Sequence, residues 1–157
     1  MSETRTIPAA ATDAEAASQF LMLVVLGLQA LAVNGKQAHW NVRGENFVAI
    51  HELIDTIVGN AQTGADHAAE RIVALGLPID ARVGTVAAKT ATRVAAGFTQ
   101  WDGCVRALIA DIDVVIGDTQ VAIDGLDGVN LPSQDVAIGI MRMLEKDRWF
   151  LFAHLAE

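Results

Sequence analysis

Of the side chains in the stretch from His39 to Glu70 that can ligate a metal, five stand out by their spacing: His39, His51, Asp55, Asp66 and Glu70. Imidazole nitrogen combined with carboxylate oxygen is a donor set suited to iron, manganese or zinc. Four of the five fall within Asn46 to Leu75, whose apolar residues repeat with the period of a helix. At 100° per residue, with His51 at zero, Asp55 lies at about 40°, Asp66 at about 60° and Glu70 at about 100°. They share one stripe. Phe47, Ile50, Ile54, Ile57, Ala61, Ala68, Ile72 and Leu75 gather instead around roughly 280°. The ligand stripe is therefore turned about 130° from the helix's own core face. Carboxylate sites inside helical bundles project from the core face and use Glu-x-x-His pairs, and this chain has no Glu-x-x-His. A site on this stripe should face another subunit.

The spacing along the axis agrees. Asp55 and Asp66 are about 16 Å apart at 1.5 Å per residue, too far to share one ion. Two copies of the helix packed antiparallel about a two-fold axis remove the difficulty. The numbers 51 and 70 add to 121, as do 55 and 66. One axis between Asn60 and Ala61 thus sets His51 opposite the partner's Glu70, and Asp55 opposite the partner's Asp66, the reciprocal pairing of an isologous contact. Gly59, at about 80°, and Ala69, at about 0°, lie on the same stripe and are small enough for close approach. Any two of these residues would suit an ordinary solvated helix face; four on one stripe with a reciprocal pairing point to two identical sites per dimer.

The elements that must position these groups are helical. The 157 residues correspond to one domain. Hydrophobic residues make up 52%, enough for large subunit interfaces as well as a core. The net charge of −8 opposes non-specific nucleic-acid binding, which depends on Lys and Arg neutralising phosphates, and suits the collection of cations. The single cysteine, Cys104, excludes an intrachain disulfide and a Cys-based metal motif, and reads as a small buried apolar residue. The longest apolar run, Phe20 to Val33, includes Gln29 and is too short to span a bilayer. Ala30-Leu31-Ala32 has the form of a signal-peptidase site, but no basic segment precedes it. The chain reads as unprocessed, cytoplasmic and without a membrane partner.

Residues 1–12 show no periodicity and read as a flexible tail; residues 13–157 form the domain. Thr12 or Asp13 caps a first helix running to about Val42, apolar on most sides, and Arg43-Gly44 breaks it. Asn46 caps the second helix, which stops at Gly76 with Pro78 behind it. Ile79 to Gly97 is a long crossover in which Thr85 to Lys89 could form a short helix. The third helix, about Phe98 to Leu126, repeats Val105, Leu108, Ile109, Ile112, Val115, Thr119, Ala122, Ile123 and Leu126. After the turn at Asp124 to Gly128, Pro132 opens a fourth helix carrying Val136, Ile140, Met141, Leu144, Leu151 and Leu155. No strand alternation and no internal repeat is visible. The fold class is all-α: a ferritin-like four-helix bundle with its long connection between helices two and three, and a short helix within that crossover.

The pattern Lys36-x-x-His39-Trp40-Asn41-x-x-Gly44-x-x-Phe47, then His51-x-x-x-Asp55, then Asp66-x-x-x-Glu70-Arg71, resembles the mini-ferritin or Dps family (DNA-binding proteins from starved cells) over nearly the whole chain from Asp13. The resemblance implies a hollow shell of twelve subunits with tetrahedral symmetry. It implies oxidation of Fe(II) to Fe(III), usually by hydrogen peroxide and otherwise by dioxygen, with storage of the ferric product inside. It assigns His39, His51 and Asp55 to the site from one subunit, and Asp66 and Glu70 from the two-fold partner. Asp55 and Glu70 would be the most direct iron ligands. Trp40 would shield the site or intercept radicals, against plain interface packing. Lys36 would hydrogen-bond or offset charge beside the carboxylates, against a plain surface role. In similar shells the region of Asp124, Asp127 and Asp135 lines acidic three-fold pores; turn and cap chemistry explains each residue alone equally well. His67, at about 160° on the wheel, is off the stripe, and His154 has a place near a helix C-terminus without assigned chemistry.

One property of the family does not carry over. Many members bind DNA through a Lys/Arg-rich terminal tail, whereas this chain ends Leu155-Ala156-Glu157 and begins with Arg5 beside Glu3. DNA binding is expected to be weak or absent. Two other classes compete with the iron-oxidising shell: a nucleoid protein, opposed by the acidic charge, and a metal-dependent hydrolase on the same shell, since a metal with open positions can activate water.

Overall fold

The computed structural model describes residues 11–156. Four long helices pack as a bundle: α1 (Ala11–Asn41), α2 (Phe47–Ala74), α4 (Trp101–Leu126) and α5 (Leu131–Ala153). The short α3 (Val83–Lys89) lies in the crossover between α2 and α4. α1 packs along α2, α4 along α5, and the two pairs close through α1 on α4 and α2 on α5. The expected tail falls largely outside the described residues, and α1 is already helical at Ala11. Thr12 and Asp13 therefore lie within the helix rather than capping it.

The helical period put the right residues inside. Ile50, Ile54, Ile57, Ala61, Ala68 and Ile72 of α2 are buried to within 1% of completely, and meet Leu21, Val24 and Leu28 of α1, Leu108 and Ile112 of α4, and Leu144 and Leu151 of α5 in one core. Burying each Leu or Ile side chain contributes roughly 1.5–3 kcal/mol. Thr119, the one polar member of the α4 repeat, is fully buried and donates its hydroxyl to the Val115 carbonyl at 2.7 Å, so that hydroxyl is not stranded.

Two corners hold the candidate ligands in place. Between α1 and α2 the chain reverses at Gly44, with φ +116°, where a Cβ would come within 2.7 Å of Gln100 Oε1 and 2.9 Å of Trp101 Cδ1. Beside it the chain forms a two-residue parallel bridge, β1 (Val42–Arg43) on β2 (Thr99–Gln100), and the Arg43 guanidinium lies 3.2 Å from the centre of the Phe98 ring. The expected Asn46 cap is not made: its side chain bonds no α2 amide. At the other corner Asn130 caps α5 by accepting from Ser133 N at 3.1 Å, and Arg71 of α2 donates to Asn130 Oδ1 at 3.0 Å and Ser133 Oγ at 2.9 Å. The end of the crossover is held by buried Asp111 of α4, which accepts from Thr92 Oγ1 at 2.5 Å and Arg93 N at 2.9 Å.

The run Phe20 to Val33 was too short for a bilayer, yet the helix taken from Asp13 to Asn41 is long and apolar enough to cross one by length and composition, with mean hydropathy 2.0 in its best window. Alanines and glycines outside the run extend the apolar stretch. Over half of that window is buried inside the bundle, as a core helix requires.

Candidate metal centre

His39 lies in the last turn of α1 and is 8% exposed; His51 lies in the second turn of α2, half-buried. Because Gly44 folds α2 back along α1, the two imidazoles stack with ring centres 3.6 Å apart and planes 19° from parallel. His39 Nδ1 is 2.8 Å from the main-chain oxygen of His51, and His51 Nδ1 is 2.9 Å from the main-chain oxygen of His39. Phe47 tilts against the outer face of His51 at 5.0 Å.

Asp55 follows one turn after His51 on the exposed side of α2, with an oxygen 3.9 Å from His39 Nδ1. Lys36, one turn before His39 on α1, ion-pairs with that same oxygen. The hydrogen bond from the Lys36 ammonium holds the Asp55 carboxyl below the usual carboxylate range against the opposing desolvation, with lesser lowering from the charge of Lys36 and from His39 and His51. Lys36 is thus paired with a carboxylate at the surface of the α1–α2 corner. The result is a carboxylate oxygen beside two stacked imidazoles.

Asp66 and Glu70 do not join this group. Both are exposed on the same outward stripe, beyond Gly59, whose missing Cβ would meet nothing within 4 Å. Among the described residues of one subunit, no three His, Cys, Asp or Glu side chains converge on a point that could hold a metal. Lys36, His39, His51 and Asp55 are brought together; Asp66 and Glu70 stand apart, facing away from their own bundle. Trp40, next to His39, is 68% exposed on the subunit surface. His67 is exposed and lines a groove between α2 and α5 with Thr63, Asp135 and Arg142. Asp124 accepts from Gln120 at 2.8 Å near the end of α4, ordinary helix-end chemistry. The role of Arg71 was not foreseen. It is the anchor that ties the Glu70 end of α2 to the start of α5, and the signal for it was the Asn-x-x-Ser cap at 130–133.

Comparison with known proteins gives the same architecture. The ferritin-like domain family model matches residues 26–157. A DNA protection during starvation protein of Mycolicibacterium smegmatis is 39% identical over 76% of this chain, and the match spans 66% of that relative's length, just under two thirds. The protein of that name from Agrobacterium fabrum is 34% identical over 81% of this chain and 80% of its own. Among solved structures, Dps from Microbacterium arborescens in its high iron form superposes with a TM-score of 0.95 at 63% identity, covering 97% of this chain and 100% of that one.

Proposed function

Because the chain belongs to the ferritin-like family, among the Dps mini-ferritins, we propose that it is a cytoplasmic ferroxidase that oxidises Fe(II) and stores the ferric product inside a hollow shell, protecting against oxidative damage. Iron is the substrate and cargo. The observation that carries this reading is the split donor set. One subunit supplies two imidazoles and one ionised carboxylate in a rigid corner, and displays two more carboxylates on the same outward stripe at the spacing a two-fold partner needs. The site is then completed by Asp66 and Glu70 of a second copy, and twelve copies built from such dimers enclose the store.

Each residue has a distinct task. Asp55 and Glu70 neutralise and hold Fe(II); His39 and His51 add nitrogen donors that suit iron. Asp66 completes the set at its edge. Lys36 occupies the Asp55 oxygen until a cation displaces it. With hydrogen peroxide, two Fe(II) each give up one electron; the O–O bond breaks, and two protons are taken up to leave two waters and two Fe(III). With dioxygen, four electrons and four protons per molecule reach the same end. Trp40 is exposed next to His39; in the dimer it would be covered by the partner and would quench one-electron by-products. The net charge of −8 draws in cations and repels the phosphate backbone, so DNA binding at physiological salt is weak or absent.

The test is near-ultraviolet absorbance on mixing anaerobic protein with Fe(II) and hydrogen peroxide, beside Asp55→Ala and Glu70→Ala. The wild type develops ferric colour faster than buffer alone, and both variants lose most of that rate. Wild-type rates in both variants would refute the site. A gel shift showing tight duplex binding at about 150 mM salt would refute the DNA statement.

A further inference from the structure

The ring nitrogens of the two histidines carry a consequence independent of what they bind. A main-chain carbonyl can only accept a hydrogen bond. His39 Nδ1 at 2.8 Å from one such oxygen and His51 Nδ1 at 2.9 Å from another must both donate. In a neutral imidazole the other nitrogen then carries a bare lone pair. The two acceptors are available for physical reasons. α1 ends at Asn41, so the His39 carbonyl is among the last four of that helix, which have no intrahelical donor. The His51 ring thus caps α1, as side-chain donors do at helix C-termini. The His51 carbonyl lies inside α2 and has a second lone pair to offer. The two rings stack 19° from parallel, and each bonds the main chain of the other's residue.

We infer that the main chain of the α1–α2 corner, and no carboxylate, fixes the tautomer of both histidines, so that each presents a bare Nε2. Histidine ligands are commonly oriented by a carboxylate, a carbonyl or a water. Here carbonyls perform that task twice. Asp55, at 3.9 Å from His39 Nδ1, lies too far to take it over. All the acids of the stripe are then left for the cation. The assignment of a metal to Nε2 rests on the proposed function; the tautomer itself does not.

The experiment is magic-angle-spinning nitrogen NMR on the metal-free, full-length protein with labelled histidine, at about pH 8, where an unperturbed imidazole is neutral. His67 and His154 serve as internal controls, since among the described residues neither ring has a hydrogen-bond partner. The two controls follow the solution preference for a proton on Nε2, and His39 and His51 carry it on Nδ1. Substitutions separate capping from ligation. An asparagine amide reaches about where Nδ1 sits, so His51→Asn retains the α1 cap and His51→Ala does not. His51→Asn keeps the wild-type apparent melting midpoint, His51→Ala falls about 2–4 °C below it, and both bind Zn(II) at least tenfold more weakly than the wild type. A proton on Nε2 of His39 or His51, or His51→Asn as unstable as His51→Ala, would overturn the inference. If the tautomers are as stated but wild-type protein takes up no Zn(II) and oxidises no Fe(II), the inference stands and the proposed function falls.

Discussion

Replacing Gly59 by leucine separates the single subunit from its assembly. Within one chain Gly59 is exposed, in the middle of α2, and an added Cβ would meet nothing within 4 Å. Glycine in a helix interior costs about 0.8–1.0 kcal/mol relative to alanine, so Gly59→Leu stabilises an isolated subunit by somewhat under 1 kcal/mol. In an antiparallel dimer the same position lies on the shared stripe, one residue from the axis. There the leucine must be forced into a packed surface. Overpacking costs typically 1–3 kcal/mol per site, and an isologous contact repeats it, giving about 2–6 kcal/mol per dimer. At 1.4 kcal/mol per tenfold, the dimer weakens roughly 30-fold to 10⁴-fold. Native mass spectrometry at matched concentrations reads the assembly, circular dichroism the helix content, and the Fe(II)–peroxide assay the site. The expected outcome is unchanged helicity, smaller species, and a ferroxidase rate that falls with the fraction assembled, although no ligand of the subunit's own has been touched. A Gly59→Leu protein of wild-type mass and wild-type rate would show that the stripe does not meet a partner.

Three further outcomes follow from single side chains. Asp147 of α5 is 5% exposed; its Oδ1 accepts from Asn60 at 2.8 Å while Oδ2 has no partner among the described residues, and burial raises its carboxyl above the ordinary 3.8 against the weaker opposing effects of Asn60 and Lys146. A carboxyl with a raised folded pKa favours folding when protonated, and loses that contribution as pH climbs through the folded value. Asp147→Asn therefore flattens the decline, and its urea midpoint gains on the wild type between about pH 4 and about pH 8; a constant difference would contradict this. Asp111→Ala removes the buried acceptor of Thr92 and Arg93, a loss of about 3–6 kcal/mol from two hydrogen bonds to a charged group, with amide exchange accelerating at residues 90–97 ahead of the bundle. Unchanged exchange there would mean that the crossover is held by something else. Burial pushes the Cys104 thiol up to about 11, so at about pH 8 roughly one molecule in a thousand is thiolate, and a disulfide reagent labels it only after unfolding.

The ligand stripe and the core face of α2 were legible because a long helix imposes one period on both, whatever it packs against. Phe47 departs from that pattern. It was placed on the core face, but it is the first residue of α2, with α1 already ended, and is left 39% exposed against the His51 ring. The Lys36–Asp55 pair crosses between two helices, so no wheel drawn on one of them could show it. The bridge of β1 to β2 joins two residues to two others more than fifty positions away, too few for any alternation to register. The proposed pairing of 51 with 70 and 55 with 66 rests on a different kind of signal: a two-fold axis would make one chain's numbering report on its partner.

α1 has one more consequence, which concerns the ribosome rather than the finished protein. Its apolar stretch emerges before α2, long and apolar enough by length and composition alone to cross a membrane, and α2, the neighbour that covers it most extensively, is complete only 33 residues later. At about 5–20 residues per second this leaves the newborn helix uncovered for roughly 2–7 s. During that interval the cell's targeting machinery and its chaperones meet a segment that hydropathy alone does not distinguish from an export signal. The closeness of α1 and α2 along the chain keeps the interval short.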